Sequence, residues 1–433
     1  MSTYPRSSLH AMLASWLSAI ALISAGCGGE SLSVDLPPAD RSIPHPRPLS
    51  SFSTWALDRF LDFNVWIGSR SGFIAIFARD GHVVYATTAG YADIEAEIPM
   101  ELGNRVRIAS MTKPVTAVAA LQLIEEGRLG LDDPVERYIP AAAGLRVATS
   151  ESFGADGTIP TESLARSVTV RDLLSFRSGF GEEGDDSDLA KLWHEHHISF
   201  DTGALEERVN RALLRLPLFE QPGERWRYGW SADILARVIE VVAGEPFDEV
   251  LAHRIFEPLG MSDSRFVPPP GERDGMATVY TQDENGNLVR ADPVLWDPEG
   301  WTPGGGGLMS TASDYMRFAL MLWNRGTYDG VKVLEPESVA LMTRIHVSSG
   351  VLAGEEIEGH GWGLGLAVVA DSAATPTTDC DGDFWWAGYY GTTFFVSPES
   401  GLVGVVISQN QPSEYSDRPY AVHLAQSFAF FGL

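Results

Sequence analysis

A serine and a lysine stand three residues apart in the stretch RIASMTKPVTAVAALQLIEEG, residues 107–127. On one helix, Ser110 and Lys113 would share a face with their Cβ atoms about 5–6 Å apart. A serine alcohol is a weak nucleophile until a base takes its proton. A lysine amine can be that base where burial lowers its pKa. Arginine cannot, because its guanidinium stays protonated in proteins. The chain carries three lysines, Lys113, Lys191 and Lys332, against twenty-eight arginines. The spacing alone is a weak signal, since an ordinary surface lysine can fall there by chance. Ile108, Ala109, Val115 and Val118 make this helix start apolar, and an idle lysine in such surroundings is costly. The chemistry implied is nucleophilic attack by a serine that a lysine activates.

Other chemistry-bearing patterns carry less. Gly304 to Gly307 precede no Lys-Ser/Thr and follow no strand, so they read as a flexible turn under the site rather than a phosphate loop. His194-Glu195-His196-His197 lacks the i, i+4 histidine pair of a zinc helix and reads as a solvated loop. Asp379-Cys380-Asp381-Gly382-Asp383 lacks the later bidentate glutamate of a calcium loop and reads as a hairpin turn. Gly229-Trp230-Ser231-Ala232-Asp233 approaches the nucleophile elbow Gly-x-Ser-x-Gly and fails at its last position. The expectation is therefore no metal and no cofactor.

The elements that must position Ser110 follow from periodicity and punctuation. Residues 1–26 have a short start with Arg6, an apolar run from Ala11 to Ile23 and small residues before Cys27, which reads as a secretory signal. Ser24-Ala25-Gly26-Cys27 resembles a lipobox with serine where leucine is usual, and predicts lipidation of Cys27. Residues 27–50 are proline-rich and predict an extended tether. The body, residues 51–433, begins with an amphipathic helix carrying Phe52, Trp55, Phe60 and Phe63. Two β-rich runs flank Asp80-Gly81, a hairpin signal. Ala117 to Glu126 predicts a helix closed by Gly127. About 119–344 is mostly helical, and strand signals return in GWGLGLAVVA, DFWWAGYYGTTFFVSP and GLVGVVISQ. A last helix is expected from about Pro419 to Phe430. The fold class is α+β: residues of about 51–118 and 345–433 share one antiparallel sheet flanked by terminal helices, with a helical insertion between them.

Composition narrows the partners. The chain has 433 residues and a formal net charge of −27. An acidic surface without a basic run repels phosphates, which excludes nucleic acid. Cys27 and Cys380 are the only cysteines, too few for a disulfide framework. No segment past the leader is apolar enough to span a membrane. The chain is expected to be exported, periplasmic or anchored to the outer membrane through Cys27.

Taken with SMTKP, the stretches VTVRDLLSFRSGF, QPGERWRYGWSADILARVIEVVAGEPF and WWAGYYGTTFFVSPESGLVGVVISQ give the chain a recognisable pattern. It resembles the serine β-lactamase and penicillin-binding-protein superfamily, in detail class C β-lactamases and the family VIII carboxylesterases of that fold. The resemblance implies Ser110 as nucleophile, Lys113 and Tyr228 as the proton-transfer pair, and an oxyanion hole from the backbone N–H groups of Ser110 and Tyr389. It places Trp230, Trp386, Ala387 and Gly388 along the substrate pocket. Two departures are informative. The family's Tyr-x-Asn is Tyr228-Gly229-Trp230 here, and its Lys/His-Thr-Gly is Trp386-Ala387-Gly388. Both remove polar groups that engage an amide or carboxylate, and both suit a neutral, apolar ester. The expected activity is a serine carboxylesterase; a class C-type β-lactamase or D-amino-acid peptidase is the alternative.

Overall fold

The computed structural model describes residues 31–40, 46–181, 187–195, 204–266, 273, 275–291, 302–348, 358–375 and 380–411. The leader, Cys27 and the expected last helix from Pro419 to Phe430 lie outside them.

An antiparallel sheet of eight strands organises the molecule. Its order is His360–Trp362, Ala367–Val369, Phe384–Gly388, Thr392–Ser397, Leu402–Ile407, Gly72–Arg79, His82–Asp93 and Ile98–Pro99. The strands from the two ends of the body thus join, with Ile74 opposite Ile407 and Arg79 opposite Leu402. Gly72–Arg79 is buried along its whole length, which the alternation of its side chains explains. Phe73, Ala75 and Phe77 face a core under the opening helix Ser51–Trp66. Ile74, Ile76 and Ala78 face the larger core that holds the site. The turn after this strand has Asp80 at φ 50° and Gly81 at φ 84°, the two left-handed positions a type I′ hairpin requires.

The helix Thr112–Glu125 runs through the larger core, buried from Thr112 to Leu123. Apolar residues lie on every side of it, which suits a helix enclosed in a core, and its buried polar side chains Lys113, Thr116 and Gln122 are hydrogen-bonded. It ends in a Schellman motif: Arg128 N–H donates to Leu123 O and Gly127 N–H to Ile124 O, with Gly127 at φ 68°. The helix Ala312–Trp323, capped by Thr311, packs on the sheet through Tyr315 and Phe394, their rings 5.2 Å apart. The segment 119–344 therefore contributes to the sheet layer as well as to the helices beyond it. It also supplies two strands of a three-stranded sheet, in which Leu308–Ser310 lies between Val106–Arg107 and Arg265–Phe266.

Residues 31–40 are extended but lie on the body. Leu32 N–H donates to Ala86 O, Ala39 N–H to Gly81 O, and the Tyr328 hydroxyl to Pro37 O.

Candidate active site

The site is built where the small sheet hands the chain to the buried helix. Ile108 N–H donates to Leu308 O at 3.0 Å, fixing the chain as it leaves Val106–Arg107. Ala109 then takes a left-handed conformation, φ 45°, which is costly for a residue with a Cβ. A short 3-10 turn, Ala109–Met111, leads into the helix. Pro114 sits in the first helical turn, where its missing N–H would have had no intrahelical partner.

This geometry brings three predicted residues together. Lys113 Nζ donates to Ser110 Oγ at 3.0 Å, and the Tyr228 hydroxyl donates to the same oxygen at 2.8 Å. The Lys113 ammonium also lies 4.5 Å from the centre of the Tyr228 ring. Ser110 is half-buried, and Lys113 is only 6 % exposed. Tyr228 comes from the loop before the helix Ser231–Ala243 and is held in place by rings. Phe176 stacks on it at 5.7 Å and 15°, and Trp386 lies 5.6 Å away. Trp362 meets Trp386 edge-on at 4.5 Å and Trp226 at 5.1 Å.

The strand Phe384–Gly388 ends against the nucleophile turn. A Cβ on Gly388 would stand 2.2 Å from both Ile108 O and Thr392 Oγ1, so only glycine permits this approach. Thr392 Oγ1 donates to Ile108 O at 3.2 Å. Ala387 and Gly388 are half-buried and Tyr389 is exposed at the next position. Trp386, 9 % exposed, touches the Tyr228 ring as a pocket wall would. Trp230 is different: at 3 % exposure it packs in the main core at the start of its helix.

Several residues at the site carried no sequence signal of their own. Gly305 O accepts from Lys113 Nζ at 2.7 Å, and Gly304 O from Thr116 Oγ1 at 2.7 Å. The glycine run is therefore a backbone acceptor for the Lys113 amine. A Cβ on Gly304 would sit 2.0 Å from Ala232 O, which explains glycine there. Asp233, 5 % exposed, lies beside Gly305, and burial pushes its carboxyl pKa up while Lys113 and Arg208 oppose that. An acid inside the apolar run SADILARVIEVV was the available clue. Phe176, Trp226 and Trp362 come from separate segments, and nothing local marks them. Among the described residues, no group of three or more His, Cys, Asp or Glu is placed to hold a metal ion. The side chain of His194 and residues 196–197 lie outside the description.

A serine thus receives hydrogen bonds from a buried lysine and a tyrosine beside a sheet joined from both chain ends, as the sequence resemblance leads one to expect. The beta-lactamase family profile matches residues 57–427, and the chain belongs to that family. It is 34% identical over 366 residues to Protein Rv1367c of Mycobacterium tuberculosis, covering 82% of this chain and 90% of that one. It is 32% identical over 376 residues to Esterase EstB of Burkholderia gladioli, covering 82% and 89%. The solved structure of EstCE1, described as a hydrolase with promiscuous acyltransferase activity, superposes with a TM-score of 0.73 at 25% identity, covering 87% and 98%.

Proposed function

We propose that the protein is a serine carboxylesterase that hydrolyses short- to medium-chain esters through an acyl-serine on Ser110. The observation that carries this reading is the convergence of Lys113 Nζ and the Tyr228 hydroxyl on one serine oxygen, at 3.0 and 2.8 Å. The Lys113–Tyr228 pair takes the Ser110 proton as Oγ bonds to the ester carbonyl carbon. The backbone N–H groups of Ser110 and Tyr389 hold the oxyanion. The C–O bond to the alcohol breaks as the pair returns the proton to it. Water then attacks the acyl-serine by the same route, giving the acid and free Ser110. Coupled groups share the proton, so the base is the pair rather than one member.

The ester preference rests on what lines the site. Trp386 stands where a cation would hold a substrate carboxylate, and aromatic rings surround Tyr228. The names of EstB and EstCE1 support the same reaction class. Export and lipidation at Cys27 rest on the sequence of residues 1–27. Mass spectrometry of the protein from a membrane fraction tests them: a diacylglyceryl adduct on Cys27 is expected, and an unmodified N-terminus upstream of it overturns them.

Hydrolysis of p-nitrophenyl butyrate by residues 27–433 tests the main reading, beside Ser110→Ala and Lys113→Arg. An active parent and two inactive variants support it. An inactive parent, or an active Ser110→Ala, overturns it. Turnover of a chromogenic cephalosporin rivalling that of the ester would favour the β-lactamase alternative instead.

A further inference from the structure

Gly305 is gripped from two sides. Its carbonyl accepts from Lys113 Nζ at 2.7 Å, while its N–H lies on the side of the Asp233 carboxylate and favours the ionised acid. A Cβ added at Gly305 would stand 2.9 Å from Asp233 Oδ2 and 3.4 Å from Lys113 Nζ, so the two side chains close on the same residue. Asp233 touches neither Ser110 nor Tyr228 by any hydrogen bond described, and the acyl-transfer chemistry above does not call on it. Yet it is a buried acid beside the catalytic amine, and a buried charge without a partner is expensive.

Two cations act on it. Lys113 and Arg208, the latter on the helix Leu205–Arg215, both pull the Asp233 carboxyl towards its charged form. Glu240, on Asp233's own helix, also faces Arg208. Arg208 is 1 % exposed. Its guanidinium cannot shed its proton, so it demands a counter-charge inside the protein. That demand opposes the rise that burial imposes on the Asp233 carboxyl.

We infer that Asp233 is a positioning residue for Lys113: it anchors the Gly305 peptide whose carbonyl aims the amine at Ser110, and its negative charge sets the charge on the Lys113–Tyr228 pair. The inference rests on the serine-hydrolase reading of Ser110 but not on any particular ester. Losing a nearby negative charge favours loss of the proton that the pair shares. The acid limb of Ser110 reactivity then moves to lower pH.

The test is the rate at which a fluorophosphonate probe labels Ser110, followed against pH, in the parent, Asp233→Asn and Gly305→Ala. The asparagine keeps an acceptor for the Gly305 N–H and loses the charge. Its acid limb is expected about one pH unit below the parent's, the scale of one neighbouring charge. Gly305→Ala forces Lys113 and Asp233 apart without touching either, and should move the limb the same way while lowering the labelling rate. It also covers the case in which Asp233→Asn does not fold. A limb that coincides with the parent's in whichever of these variants folds, even at a reduced rate, leaves Asp233 a structural residue and overturns the inference. If the parent labels but turns over no ester, the carboxylesterase proposal fails and this inference stands. If the parent does not label at all, the serine-hydrolase reading fails and takes the inference with it.

Discussion

Two buried polar clusters lie on opposite faces of the same sheet, and only one can do chemistry. Between the opening helix and the sheet, Tyr85 and Thr87 both donate to Asp58 Oδ1, with no lysine or histidine among them to take a proton. On the other face, Ser110 receives Lys113 and Tyr228, and Asp233 lies near the amine. In the first cluster two hydroxyls converge on one carboxylate oxygen, beside Leu57, Phe60 and Phe73. The second is built around a serine that is only partly buried. Burying polar groups is therefore not what makes a site. A site needs a reacting atom, a group that can move its proton, and an opening.

Substitutions that separate chemistry from stability sharpen this contrast. The largest effect is expected from Ser110→Ala: ester turnover should fall by about 10³-fold or more with the melting temperature nearly unchanged. An unchanged kcat would remove Ser110 from the mechanism. Tyr228→Phe deletes one hydroxyl and leaves the ring stack, and should lower kcat by about 10²–10⁴-fold, the usual range for a proton-transfer group. Activity within about twofold of the parent would reduce Tyr228 to a packing residue.

Tyr85→Phe should do the reverse. It leaves Asp58 buried with fewer donors, at a cost of about 1–3 kcal/mol in urea unfolding, and kcat should not move. A loss of activity without loss of stability would break the distinction between the two faces. The smallest effect is in alkaline stability. Burial and the Asp58 carboxylate push Tyr85 up from its ordinary 10.0, and burial alone pushes Tyr315 well above it. The folded state then holds protons that the unfolded chain releases, so stability is full below pH 10 and declines as pH rises beyond it. Unfolding midpoints measured from pH 8 to 11 should fall only above about 10, less steeply in Tyr85→Phe. A decline that begins below pH 9 would assign alkaline sensitivity to other groups.

The same contrast separates what was readable in advance from what was not. Ser110 and Lys113 were legible because helical geometry ties residues three apart. The Asp80-Gly81 hairpin and the glycine that closes the nucleophile helix were legible because each needs a left-handed backbone that few residues accept. Tyr228 needed resemblance to a family, since no local rule links it to a serine 118 residues earlier. The glycine run was expected under the site, but the acceptor role of Gly305 and the place of Asp233 were missed. Their roles exist only where the helix Ser231–Ala243 crosses the glycine run, and neither sequence announces that crossing. The docking of residues 31–40 was equally hidden, because proline-rich composition specifies an extended chain but not what it lies against.

The sequence by itself determined the local devices: which residues turn, where the helix after Ser110 ends, and which serine has a lysine within one turn. These depend on backbone dihedrals and side-chain periodicity over a few residues. Tertiary structure alone decided that Tyr228 completes the serine's hydrogen bonds and that Trp386 walls it. It also decided that a buried aspartate lies near the amine. Those contacts join segments far apart in the chain, and they form only when the two ends of the body close one sheet and the apolar helix is driven into its core.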